Sequence, residues 1–345
     1  MSLQRPQNGT QRDASGISLP RRQGLQWLLA AAGCVMTGAL PASAMAQESW
    51  KPAHPIKIVV PFPPGGGTDA AARLLADTIT KQSGFAVIVE NRPGANGILA
   101  TQAVNTAAPD GLTLMMGTSD THAVNPHLYP QAVKAVASMI AVNSVARVPV
   151  MLVGRKNLPQ KTTREVLQFA RSNEMTYAHY GIGSNGQLAM EMIKANAGID
   201  KMLGVPYQGG GPAMQAVLAG QVDIAVVPMN AALAQGPNIL LLGTVSAQRP
   251  EGAKEIPTLK EQGFDVVADS WTGLFAPSAT PANVVAAISR LTKAAVASPE
   301  FAKSLAAQGL SPLQLDGSAE FSKFVASESA RLGKVIRAAN IKVEK

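Results

Sequence analysis

One cysteine and 4% aromatic residues are what this 345-residue chain has least of. The cysteine, Cys34, falls in an N-terminal apolar stretch, so the chain beyond it has no disulfide and no thiol chemistry. With so few aromatic rings, the core has to be built from Ala, Val, Leu, Ile and Met. Past residue 46 no apolar run reaches the ~20 residues that a membrane span needs. His54, His122, His127 and His179 show no metal-pair spacing, and the His-Glu-x-x-His pattern is absent. Gly65-Gly66-Gly67-Thr68 lacks the Gly-Lys pair of a nucleotide-binding loop, and Gly65-x-Gly67 has no third glycine at dinucleotide spacing. No Lys/Arg run interleaved with aromatics appears, which argues against a nucleic-acid partner despite a net charge of +8. No metal, no cofactor and no nucleic acid are expected.

What is present describes a globular, exported protein. Hydrophobic residues make up 46% and charged residues 15%, enough for a large core and about two domains. Arg21-Arg22 precede an apolar stretch from Leu25 to Leu40, and Ala44-Met45-Ala46 supplies a small-residue cleavage site before Gln47. Residues 1–46 therefore read as a signal peptide directing the chain to the periplasm, by the Sec or the twin-arginine route. Leu29 to Cys34 also has a faint lipoprotein-like look, which leaves lipidation at Cys34 as an alternative. Loss of the leader removes four arginines and one aspartate, so the charge falls from +8 to +5.

The mature chain is organised around Ile56–Val60, a strand-like run that stops at prolines, turns through Gly65-Gly66-Gly67 and meets Thr68-Asp69. Apolar residues at Ala71, Leu74, Leu75 and Ile79 then recur at helical spacing, closed by Gly84. Thr68 or Asp69 is the expected N-cap. Free amides of the glycine turn and first helical turn would gather at one point, making either an anion cradle or a plain tight turn. Val87–Glu90 reads as a short buried strand, Ile98–Thr106 as a helix and Leu112–Gly117 as a strand. A polar loop, Thr118–His122, follows. Strand–helix alternation of this kind makes a parallel α/β sheet with ligand sites beyond the strands' carboxyl ends.

The same logic recurs further on. Thr162-Thr163-Arg164-Glu165 looks like a capping box, and Thr176–Tyr180 is a strand running into Gly181-Ile182-Gly183-Ser184 and a helix from Gln187. Tyr207 precedes a third glycine turn, Gly209-Gly210-Gly211, and strands are expected at Asp223–Val227 and Ile239–Val245. Thr280-Pro281, Ser298-Pro299 and Ser318 open the C-terminal helices. The fold class is therefore α/β: two doubly wound domains joined by crossovers near Val148–Gly154 and Trp271–Ala276, a clamshell able to close on a small ligand. The expected partition is 47–147 with 276–345 as one lobe and 148–275 as the other.

Enzymatic readings find little support. Ser184 invites a nucleophile-elbow reading, but Ile182 stands where that turn needs a small residue. His122 reads first as a loop hydrogen-bonder, Asp69 first as a cap, and Tyr207 as a cleft or a core residue.

Val59-Val60-Pro61-Phe62 with Gly65-Gly66-Gly67-Thr68-Asp69 resembles the Bug (TctC-like) solute-binding proteins, as does Val89-Glu90-Asn91-Arg92-Pro93-Gly94-Ala95. Thr118-Ser119 with Thr121-His122 and Asn125-Pro126, then Val205-Pro206-Tyr207, Gly220-Gln221-Val222-Asp223 and Ser270-Trp271-x-Gly273-Leu274, continue the match over the mature chain. The resemblance implies a Venus-flytrap receptor, not an enzyme, that presents a small carboxylate to tripartite tricarboxylate transporter membrane subunits, as a monomer. It implies a pincer in which Phe62, Gly66, Gly67, Thr68 and Asp69 from one lobe, and Gly181, Gly183 and Ser184 from the other, hold a carboxylate. Ser119, Thr121, His122, Tyr207 and Gly209 would line the rest. His179-Tyr180 replaces a small pair usual in the family, and Val226-Val227-Pro228 stands where an aromatic-Asp-Asn run is common. These departures point to a ligand with one carboxylate and an apolar or aromatic body. A ligand sensor for a membrane signalling partner, or a secreted hydrolase using Ser184, are the alternatives.

Overall fold

The computed structural model describes residues 50–343. The expected signal peptide, its expected cleavage point at Ala46 and Cys34 lie outside the described residues. Along the chain the strands are β1 Ile56–Val60, β2 Val87–Asn91, β3 Thr113–Thr118, β4 Met139–Val148, β5 Val150–Arg155, β6 Thr176–His179, β7 Leu203–Pro206, β8 Ile224–Pro228, β9 Ile239–Thr244, β10 Ser270–Pro277 and β11 Ser311–Pro312. The helices are α1 Gly67–Ser83, α2 Ile98–Asn105, α3 Asn125–Leu128, α4 Pro130–Ala137, α5 Thr163–Ala170, α6 Asn185–Ala197, α7 Gly210–Leu218, α8 Met229–Leu233, α9 Ala282–Val296, α10 Pro299–Ala307 and α11 Gly317–Ala338.

The strands form two sheets, ordered β11-β4-β10-β3-β1-β2 and β7-β6-β8-β5-β9. In the first, β1 runs parallel to β2 and β3, and β10 lies antiparallel to β3 and β4. In the second, β6 runs parallel to β7 and β8, and β5 lies antiparallel to β8 and β9. The two arrangements are the same: a parallel trio flanked by a reversed strand. The inner strands are mainly apolar because each sheet is covered on both faces. Ile56, Ile58 and Val60 face one cluster, with Leu75, Leu114 and Ile288, while Val59 faces another, with Met115, Trp271 and Phe321. The second sheet divides likewise, Leu152 and Val226 to one side and Met151 and Val227 to the other.

The apolar run expected from Ser144 to Gly154 is two strands in two different sheets. Pro149 separates them, since a proline has no N–H for a continuing ladder, and the chain passes there from the first lobe to the second. It returns between β9 and β10, and β10 pairs within the first sheet from Ser270 onward. The C-terminal helices pack on the first sheet through Val284, Ile288, Phe301 and Leu305 on one face and Phe321 and Leu332 on the other.

Several local expectations need correcting. β2 is an edge strand, half-buried, with Ile88 exposed, because nothing pairs beyond it in the sheet. The segment after β3 is not a loop: Asp120–Val124 forms a π-helical turn that leads into α3. α9 starts after Pro281, and Thr280 does not cap it. Ser318 lies inside α11, where its hydroxyl donates to the Ala141 carbonyl of β4. Ser298 does cap α10, accepting from the Phe301 N–H. The capping box at α5 is complete in both directions between Thr162 and Glu165.

That box gives the first test. Thr162→Ala removes the acceptor for the Glu165 N–H and should cost about 1 kcal/mol. The midpoint of a urea titration reads it; an unchanged midpoint would mean that α5 is held by packing alone.

Candidate functional site

A cleft of about 410 Å³ opens between the two sheets. Phe62, Pro63, Pro64, Gly65, Gly66, Gly67 and Thr68 form its first wall. The construction of that wall begins with Asp69. Its Oδ2 accepts the Gly65 N–H at 3.0 Å and the Arg73 Nε–H at 3.0 Å, while its Oδ1 accepts from Asn91 Nδ2 at 2.9 Å. Asn91 also donates to the Phe62 carbonyl at 3.0 Å. Burial pushes the Asp69 carboxyl up, but Arg73, the Gly65 amide and Asn91 outweigh it and hold it below its ordinary value. Asp69 is thus a brace for the loop, and neither it nor Thr68 is the N-cap. Gly66 holds that position with extended backbone and no side-chain bond. Gly65 adopts φ +89°, and a Cβ on Gly67 would lie 2.5 Å from Val148 Cγ1. The turn therefore needs glycine at both places, for conformation at one and close approach at the other. Its consequence is a long helix, α1, whose first residues line the cleft.

The opposite wall comes from α7 and its approach, Gly210, Gly211, Pro212, Met214 and Gln215, and from Pro228, Asn230, Ala231, Ala234 and Gln235. Val148 and Val150 flank the crossover proline between the walls. Asn230 Nδ2 reaches across to the Gly65 carbonyl at 3.4 Å. Asp120, Tyr180, Ser270 and Gln308 complete the lining, which contains no lysine, arginine or histidine.

Among the expected site residues, Phe62, Gly66, Gly67 and Thr68 line this cleft, and the others do not. Ser119 is buried and hydrogen-bonds Ser270 Oγ at 2.6 Å. Thr121 is turned inward to the Thr118 N–H and His122 Nδ1. His122 stacks on Phe275 with ring centroids 3.6 Å apart, and burial lowers its pKa to about 3. It is a neutral core group. Gly181 and Gly183 take positive φ, and a Cβ on Gly183 would strike Leu128 Cδ1 at 2.2 Å, so this turn is packed against the first lobe. Ser184 is fully buried and caps α6, accepting the Gln187 N–H. Tyr207 packs beside the second-lobe cluster around Met214, and Gly209 sits behind Pro63 at the rim.

The groups missed are Pro63 and Pro64, Tyr180, the α7–α8 face around Met214 and Asn230, and Asp120. Gly210 and Gly211, in the turn after Tyr207, signalled part of that face. Asp120 fell inside the Thr118–His122 loop expected at the crevice, but nothing in the pattern singled it out between two motif residues. It is 3% exposed, and its Oδ1 accepts the Asn185 N–H at 3.0 Å and faces Ser119 Oγ at 3.4 Å. Burial raises its pKa to about 7 against those two bonds. Burial also pushes the neighbouring Tyr180 hydroxyl well above its ordinary value, and the Asp120 charge adds to this.

The model for the tripartite tricarboxylate transporter family receptor (TctC) matches residues 71–341. The chain belongs to this receptor family. BugT of Bordetella pertussis is 32% identical over 324 residues, covering 92% of this chain and 98% of BugT. Among solved structures, an R. palustris protein determined with adipate superimposes with a TM-score of 0.80 at 29% identity, covering 84% of this chain and 99% of that one. The periplasmic binding protein BugD gives 0.78 at 26% identity, covering 85% and 100%. MatC from Rhodopseudomonas palustris, with bound malate, gives 0.76 at 30% identity, covering 83% and 100%. The two-lobed clamshell is thus the family architecture, and this TctC receptor is a solute-binding protein.

In this TctC receptor two acids in the lobe junction, Asp120 and Asp269, are raised by burial, the latter to about 6. A carboxyl raised on folding favours the folded state below its ordinary value and loses that contribution as pH rises through the folded value. Asp120→Asn removes the contribution that is lost up to about pH 7. Melting temperatures from pH 4 to pH 8 should show the variant gaining on the parent as pH rises, with Asp269 contributing equally to both. A constant difference across the range would exclude the burial effect at Asp120.

Proposed function

We propose that this receptor captures a small molecule with one carboxylate and an apolar or aromatic body. The carboxylate rests on the free amides of Gly66, Gly67 and Thr68, where the α1 dipole and the unpaired N–H groups favour a negative charge. The observation that carries this reading is the pairing of that open helix end with walls of Phe62, Pro63, Val150, Pro212, Met214, Pro228 and Ala231. Tyr180, one of the family departures, adds an aromatic face. No cationic side chain lines the cleft to neutralise a second carboxylate on the ligand. Adipate and malate, held by the related R. palustris proteins, share the carboxylate chemistry.

The receptor acts as a monomer in the periplasm and hands its ligand to tripartite tricarboxylate transporter membrane subunits. The receptor reading is preferred to the hydrolase alternative because Ser184, the nucleophile that alternative would use, caps its own helix by accepting the Gln187 N–H.

Calorimetric titration and thermal-shift assays with hexanoate, benzoate and citrate test the proposal. Hexanoate or benzoate at 100 times its dissociation constant should stabilise the fold by about 2.7 kcal/mol. Tight citrate binding with no response to either monoacid would overturn it. Thr68→Ala should weaken the monoacids by about two- to tenfold through loss of one hydroxyl hydrogen bond, with the fold intact. Unchanged affinity would remove Thr68 from the cradle.

A further inference from the structure

The two sheets share one strand arrangement, and α1 and α6 hold equivalent places in it, each following the central strand of its parallel trio. Their N-termini are treated oppositely. Gly65 to Thr68 at the start of α1 open on the cleft, whereas Ser184 and Asn185 at the start of α6 are buried and line none of it. Leu128 covers Gly183 there, and Asp120 reaches the helix end itself. This first-lobe side chain, 3% exposed, accepts the N–H of Asn185, the first residue of α6, at 3.0 Å. Its second oxygen has no hydrogen-bond partner among the described residues, and Asp120 itself lines the cleft.

We propose that Asp120 is a resident carboxylate that occupies the α6 helix end, where the second lobe would otherwise hold a ligand carboxylate, and thereby restricts the receptor to ligands whose one carboxylate sits at α1. The proposal rests on the carboxylate-capture reading above and adds the residue that sets its selectivity. A helix N-terminus carries roughly half a positive charge and favours one anionic group. A side chain already tethered there competes with any diffusing ligand at high effective concentration. Above about pH 7, where Asp120 is ionised, a second ligand carboxylate approaching it would meet a like charge, with no cationic side chain in the lining to offset it. The placement is held from both sides. Ser119 Oγ meets Ser270 Oγ at 2.6 Å beside Asp120. Tyr129 Oη donates to the Ile182 carbonyl at 3.1 Å across the same lobe junction, and Leu128 packs on Gly183. Asp120 therefore also ties the lobes together without ligand.

The experiment compares adipate with its monomethyl ester, a pair differing by one charge, by calorimetry at pH 8 on the parent, Asp120→Ser and Asp120→Asn, so that Asp120 is ionised in the parent. The parent should bind the ester at least as tightly as adipate. Asp120→Ser should shift the ratio of affinities toward adipate by about tenfold, the size of one charge-assisted hydrogen bond gained at α6. Asp120→Asn, which removes the charge and keeps an acceptor for Asn185, should shift it in the same direction by a smaller factor. An unchanged ratio in folded Asp120→Ser overturns the proposal. Should that variant not fold, the ratio in Asp120→Asn decides on the same terms. If neither compound binds any form, the carboxylate-capture reading itself falls. The role of Asp120 is then decided by small-angle scattering of the ligand-free proteins: a larger radius of gyration in a folded Asp120 variant supports it, and an equal one overturns it.

Discussion

The carboxylate of Asp69 is the constraint on which the cleft depends. A glycine turn has no intrinsic shape, and its freedom must be removed before its amides can point at one spot. Asp69 removes it by reaching back to the Gly65 N–H, while Asn91 ties the Phe62 carbonyl to the same carboxylate. The Asp69–Arg73 ion pair contributes little energy by itself, since the Arg73 side chain is half exposed. Its value is positional, because it holds the carboxylate where two loop bonds can form. The sequence pattern Val89-Glu90-Asn91 thus matters for a reason beyond strand propensity: Asn91 closes the turn from the neighbouring strand.

Duplication of the sheet arrangement supplies two helix ends, and the chain uses them differently. At α1 the side chain that could cap the helix, Asp69, is turned backwards into the loop, so the amides stay free. At α6 the cap is Ser184 and the first amide is taken by Asp120 from the other lobe. One end thus stays open on the cleft while the other joins the lobes. Pro149 makes this division workable, since it lets a single apolar run serve both sheets and puts the lobe junction next to Val148 and Val150 in the cleft wall.

Much of the fold was legible because it rests on local rules. Apolar runs and glycine turns located most of the strands and, to within a few residues, the starts of α1, α6 and α7, and the Thr162–Glu165 box and Ser298-Pro299 located two helix starts. Errors arose where a side chain answers to tertiary surroundings. Ser318 has a cap-like position, yet its hydroxyl is drawn to the Ala141 carbonyl across the structure. The Thr118–His122 segment is polar and reads as a loop, but Phe275 and the neighbouring strands bury it as a helical turn. For the site, the amide-bearing turns could be read from sequence, while their accessibility could not. No spacing rule tells that Leu128 covers Gly183 or that Asp120 arrives at Asn185.

That difference bears on selectivity within one fold. The amides of a helix end are supplied by backbone, so substitutions that leave the helix intact leave the anion site intact as well. What can change is whether another part of the chain reaches it, as Asp120, in the turn after β3, does at α6. The walls vary by the same economy: Tyr180 and Pro228 alter the shape and polarity of the space beyond the α1 amides without touching the brace formed by Asp69 and Asn91. On the reading proposed above, a receptor built this way keeps its grip on one carboxylate constant while the rest of its ligand is chosen by side chains that the fold does not need.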